Sequence, residues 1–218
     1  MMMGPGNFIE MELRGKSKEE ALKAIKDLRK EMDRLKKVIE EEPESEEMMI
    51  CPSPDVKISV YRDYLAAARD YFEEQGWEYK PSKEETADKE FNDRLRNVQS
   101  IMVEYGGFLC GGETRKITFN GDKILVDRNY RMAVPDIDEL DREFYKDMVK
   151  DDLLEGLAGI HMGEWKKEYD DPCVLDGIQW SIVIRYTDGR KKVFEGSNSY
   201  PPGFYDFLDI MQIDVIDA

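Results

Sequence analysis

The chain has 218 residues, 41% of them apolar and 11% aromatic, and its 48 acidic against 32 basic residues leave a formal net charge of −16. That is enough apolar material for a packed core and excludes a disordered chain. The charge argues against nucleic-acid backbones as partners, because binding phosphates needs concentrated Lys and Arg.

No apolar run approaches the roughly 20 residues of a membrane span, and the first residues lack the pattern of a signal peptide. The three cysteines, Cys51, Cys110 and Cys173, are scattered. An odd, unpaired set favours free thiols and a cytoplasmic location over a disulfide framework. The acidic excess concentrates at 40–47, at 136–155 and at the C-terminus; its simplest role is solubility, with imitation of DNA as the sharper alternative.

Ile9, Met11 and Leu13 alternate with Glu10, Glu12 and Arg14, the period of a half-buried strand. Ser17 to Glu20 (SKEE) has the form of a capping box, and Ala21, Ile25, Leu28, Met32, Leu35 and Ile39 then predict a helix to about residue 42. Their stripe is a narrow heptad one with charged flanks. It suits contact with another protein or a second copy, or packing within its own domain. The run EEEPESEE at 40–47 reads as a linker. Ser53 and Pro54 open a helix with Ile58, Tyr61, Leu65, Ala68 and Phe72 on one face, and Gly76 is placed to end it. A second capping box, Ser82 to Glu85, opens a helix that buries Phe91 and Leu95.

From Val98 the period changes to two, with Ile101, Val103 and Tyr105 alternating before GGFLCGG. Phe119 to Ile124 (FNGDKI) is a hairpin turn. Parity pairs Phe119 with Ile124 and Ile117 with Val126, which requires a loop of Gly121-Asp122 or of all four residues from Asn120 to Lys123. Asp136 to Glu139 caps a helix carrying Ile137, Leu140, Phe144 and Met148, with a kink or restart near Asp151 before Leu153, Leu154 and Leu157. Trp180, Ile182, Ile184 and Tyr186 form a strand leading to the turn TDGR. Pairing across Asp188-Gly189 sets Ile184 against Val193 and Val183 against Phe194. Pro201 and Pro202 start a last helix with Phe204, Phe207, Leu208 and Met211 inward.

Chemistry is sparse. His161 is the single histidine, and neither Cys-x-x-Cys nor His-x-x-x-His occurs, so neither a metal nor a cofactor is expected. No serine sits in a Gly-x-Ser-x-Gly elbow. GGFLCGG lacks the Gly-Lys-Ser/Thr of a phosphate loop and opens no helix; it reads as a wide turn or bulge with Phe108 and Leu109 at its tip, a candidate binding pair. The Gly196 to Tyr200 loop reads as a strand-to-helix joint whose Asn198 and Tyr200 form a second candidate pair. Neither Asp151-Asp152 nor Asp170-Asp171 has a spacing diagnostic of acid–base catalysis, and no catalytic residue is assigned.

Taken together, ICPSP at 50–54, YGGF at 105–108, LDGIQW at 175–180 and GSNSYPPGF at 196–204 resemble a group of uncharacterised bacterial proteins over most of the chain after residue 50. That resemblance implies no function. The order of features after residue 98 is more distantly similar to emfourin-type inhibitors of thermolysin-like proteases, on Gly106, Gly107, Phe108, the Trp180 strand and Pro201 or Pro202. The chain departs from that pattern in its long N-terminal half and in the glycines after Cys110. The similarity implies an inhibitor that projects Phe108 and Leu109 on a rigid loop.

The expected fold is α+β: a mainly antiparallel sheet of five or more strands from 98–131 and 164–195, packed by helices from 55–96, 137–157 and 202–211. A strand-helix arm with an acidic linker is expected over 1–47 and an α+β domain over 48–218, helical at 53–97 and sheet-rich at 98–218. The expected function is non-catalytic binding of another protein. An enzyme without a recognisable motif and a protease inhibitor are the alternatives.

Overall fold

The computed structural model describes residues 3–42, 45–107, 111–121, 123–131, 141–143, 149–174 and 176–214. The fold is α+β with a mainly antiparallel sheet, as the sequence predicts. The chain forms two compact units that divide at Pro81 and Ser82, later than the expected break near residue 47.

In the first unit α1 (Pro5–Phe8) runs into a π-helical turn (Ile9–Leu13), followed by α2 (Lys18–Glu41), the short α3 (Glu46–Met49) and α4 (Pro54–Glu74). The capping box opening α2 is complete: Ser17 N–H donates to Glu20 Oε2 at 2.8 Å, and Glu20 N–H donates to Ser17 Oγ at 3.3 Å. The heptad stripe faces α4. Ala21, Ile25, Met32, Leu35 and Ile39 share one buried cluster with Ile58, Leu65, Ala68 and Phe72, which is why α4 belongs with α2. The strand expected at Ile9–Leu13 is not formed. Arg14 N–H donates to the Ile9 carbonyl at 2.8 Å, and Phe8 and Leu13 are buried, Phe8 stacked on Tyr64 at 4.6 Å. Three alternating residues are too few to separate the two periods. The acidic run is also more than a linker: Glu40 is buried, and Glu47 meets Arg34 at 2.8 Å and Lys57 at 3.6 Å. The Arg34 guanidinium pulls the Glu47 carboxyl down to about 2.

The second unit holds α5 (Lys83–Leu95), α6 (Lys150–Gly159) and α7 (Phe204–Ile210). Its strands are β1 (Val98–Gly107), β2 (Gly111–Asn120), β3 (Lys123–Arg131), β4 (Asp141–Glu143), β5 (Glu168–Asp170), β6 (Ile178–Tyr186) and β7 (Lys191–Ser197). Among the described residues they make a seven-stranded sheet, β4-β3-β2-β1-β6-β7-β5, with β5 alone parallel to its neighbour. Phe91, Leu153, Leu157, Phe204, Phe207 and Leu208 from the helices join Ile101, Val103, Ile117, Ile182, Ile184 and Phe194 from the strands in one core cluster. Phe119 pairs with Ile124 and Ile117 with Val126, and the Asn120–Lys123 pair makes the loop Gly121-Asp122.

Two expectations in this unit are corrected. Residues 141–143, placed in a helix by their sequence, pair with β3 instead; the rest of that helix outside α6 falls on residues that are not described. In the β6–β7 hairpin, Val183 pairs with Val193 and Ile182 with Phe194, one residue away from the expected register. Tyr186 N–H donates to the Arg190 carbonyl at 3.0 Å, closing a loop of three residues whose last, Gly189, has φ +82°. An odd loop length moves the partner strand by one residue, and Phe194 goes into the core while Val193 faces away from it.

Candidate functional site

Side chains alternate across each strand, so the face opposite the core can be read in rows from the register. One row holds Gly112, Gly106, Gln179, Ser197 and Asp170, contributed in order by β2, β1, β6, β7 and β5. The next holds Thr114, Glu104, Ser181, Glu195 and Glu168. Beyond it come Lys116, Met102, Val183 and Val193, then Thr118, Ser100, Arg185 and Lys191. On β1, β6 and β7 the face is therefore zoned, acidic at one end, apolar across the middle and basic at the other, while β2 and β3 add Lys116 and Asp127 to the middle row. Gln179 to Arg185 along β6 spans about 20 Å at the rise of an extended strand.

The acidic end is hollow. Its two rows line a trough of about 780 Å³. Gly106 and Gly112 lie side by side, and a Cβ on Gly106 would come within 2.3 Å of the Gly112 Cα. The floor there is consequently bare backbone. Glu104, Glu168, Asp170 and Glu195 are exposed on its rim. Lys167 reaches Glu168 at 2.7 Å and Glu195 at 3.7 Å, and its ammonium lowers the Glu168 pKa chiefly through that hydrogen bond. Among the described side chains of this rim, one lysine stands against four carboxylates. Ser181 Oγ donates to Glu104 Oε2 at 3.4 Å, a weak contact.

Of the expected binding residues, Asn198 and Tyr200 do not line the trough. Phe108 and Leu109 lie outside the described residues. Asn198 has φ +56°, donates through Nδ2 to the Val174 carbonyl at 3.3 Å, and through its backbone N–H to the Ile178 carbonyl at 2.9 Å. It locks the turn after β7 against the loop entering β6. Tyr200 is half-buried and packs on Phe204 at 4.9 Å; burial raises its phenol pKa. The indoles of Trp165 and Trp180 donate to the Pro202 and Ser199 carbonyls at 3.1 and 3.0 Å, fastening the same joint over the core.

A second constellation joins α5 to the 3-10 turn Met162–Glu164. Asp88 is buried in α5; its Oδ2 lies 2.7 Å from His161 Nδ1 and accepts from Asn92 Nδ2 at 3.2 Å, while Oδ1 accepts from the Gly163 N–H at 3.2 Å. Glycine is required at 163, because a Cβ there would stand 2.2 Å from the Asp88 Cα. Ligand atoms of Asp88, His161 and Glu164 all lie within 4.8 Å of one another. Sequence spacing missed this group because Asp88 is 73 residues from the histidine. The one available signal was the lone histidine, with Glu164 three residues after it.

No helix among the described residues is long and apolar enough to cross a membrane. No family model, curated protein or solved structure matches the chain.

Proposed function

We propose that the chain is a non-catalytic protein-binding module whose docking surface is the zoned open face of its sheet. The observation that supports this reading is the order of the rows: a carboxylate-rimmed trough, then Met102, Val183 and Val193 with Lys116 beside them on β2, then Arg185 and Lys191. A matching partner presents basic side chains to the trough, an apolar stretch to the middle and acidic groups to the far end. The apolar row supplies desolvated contact, and the charged rows set orientation and encounter rate. The net charge of −16 favours the same basic class of partner over the whole surface.

The inhibitor reading rests on Phe108 and Leu109, outside the described residues, and gains no support from this face. Binding is tested with a fluorescent peptide carrying lysines, an apolar run and glutamates in that order. Glu104→Gln/Glu168→Gln/Glu195→Gln is expected to weaken it at least about tenfold. A control that changes charge equally in the first unit, Glu73→Gln/Glu74→Gln/Glu78→Gln, is expected to leave it unchanged. Equal loss in both variants means unspecific attraction and overturns the proposal.

A further inference from the structure

We propose that Asp88, His161 and Glu164 form a binding site for one divalent transition cation of the zinc or cobalt class. The donor set is one imidazole nitrogen and two carboxylates, which suits those ions better than calcium or magnesium, whose sites are built from oxygen alone. Three protein ligands with a fourth position left to water is a common arrangement for zinc.

Local geometry explains why the three side chains converge. His161 and Glu164 are three residues apart across a 3-10 turn, and Glu164 N–H donates to the His161 carbonyl at 3.0 Å. Across this turn the ligand atoms of His161 and Glu164 come within 4.8 Å of each other. Gly163, between them, lets the turn press against the α5 backbone at Asp88. His161 itself has φ +55°, a left-handed conformation uncommon for a residue with a side chain.

The Asp88 side chain is 10% exposed and that of His161 31%, so the group is shielded on the Asp88 side and reachable from solvent at the imidazole. A buried carboxylate needs compensating positive charge or several donors. Around Asp88 the direct donors are the Gly163 N–H, Asn92 and the imidazole, and with Glu164 beside it a divalent ion balances both carboxylates. Donor atoms around a tetrahedral zinc stand roughly 3.3 Å apart. The 2.7 Å contact between His161 and Asp88 and the spread of at most 4.8 Å over the group bracket that value. The Gly163 N–H and Asn92 then serve as outer supports that orient the Asp88 carboxylate. Lys192 on β7, whose ammonium lies over the Phe91 and Phe194 rings at 4.7 and 5.0 Å, is near enough to feel the charge of Asp88.

Titration calorimetry of the full chain with zinc, and visible absorption with cobalt, test the site. The expected result is one ion per chain with a ligand-field spectrum. Affinity should fall at least tenfold in His161→Asn, chosen because asparagine tolerates the left-handed backbone, and about tenfold in Glu164→Gln. Lys192→Met should bind a few-fold more tightly. Circular dichroism of each metal-free variant establishes that it is folded. Uptake that neither His161→Asn nor Glu164→Gln changes would place the ion on surface carboxylates or on the exposed thiols of Cys51 and Cys173, and overturns the site. So does the absence of stoichiometric binding by the wild type.

Discussion

Arg115 is the largest fully buried side chain, 1% exposed, and it donates to the Met211 carbonyl at 2.6 Å and to that of Gln212 while pairing with Glu113. Arg128 holds Glu113 from the other side at 3.0 Å. The guanidinium thus joins β2 to the chain leaving α7. Arg115→Met strands the two carbonyls and weakens the compensation of a buried carboxylate; it should cost about 3 kcal/mol in urea unfolding. Burial also raises the phenol pKa values of Tyr186, Tyr200 and Tyr205. Above about pH 10 the unfolded chain loses these protons while the folded chain keeps them. Stability is therefore fully present below pH 10 and falls as pH rises through the folded values. The urea midpoint should drop as pH rises above about 10, with tyrosinate absorbance appearing together with unfolding; an unchanged midpoint contradicts the burial argument. None of these roles was legible in the sequence. Arg115 meets carbonyls 96 and 97 residues away, and Asp88 its histidine at 73, separations at which no local pattern survives.

Elements were more legible, and the failures have local causes. Capping boxes placed the starts of α2 and α5, where Ser17 and Ser82 accept from the N–H groups of Glu20 and Glu85. Parity settled the β2–β3 hairpin because both of its ends are apolar. It failed at β6–β7 because Val183 and Phe194 also make a plausible pair, so only the loop length decides. Shortening Thr187-Asp188-Gly189 to Asn-Gly would impose an even loop and turn Phe194 out of the core. That variant should lose about 3 kcal/mol or more, read from its melting temperature, because a buried aromatic is exchanged for Val193. Ile9–Leu13 misled for a different reason: its three apolar positions fit two periods, and Phe8 and Leu13 find their burial in helices. The α2 stripe was readable as a stripe but not as to its partner. Since it packs on α4, Leu35→Ala should cost about 2–5 kcal/mol while light scattering returns an unchanged mass. A change in mass with an unchanged melt would return the stripe to the role of an intermolecular contact.

At the scale of the whole molecule, composition anticipated the charge but not its arrangement. The distinguishing feature is that β1, β6 and β7 sort acidic, apolar and basic residues along one face, while aromatic residues gather on the other around Trp165, Trp180 and Phe204. Zoning of this kind depends on register across five strands, each shifted by its own loop, which explains why the sequence, read strand by strand, did not reveal it. The first unit carries its own acidic helices and is a built-in comparison, since general attraction by a chain of charge −16 would engage those as well. Backbone amide shifts followed by nuclear magnetic resonance, as the lysine–apolar–glutamate peptide is added, separate the two. The account predicts saturable shifts confined to the open face of the sheet, in the rows of Glu104, Ser181 and Glu195, of Met102, Val183 and Val193, and of Arg185 and Lys191. Shifts spread over the acidic faces of α2 and α4, or none on the sheet, would contradict it.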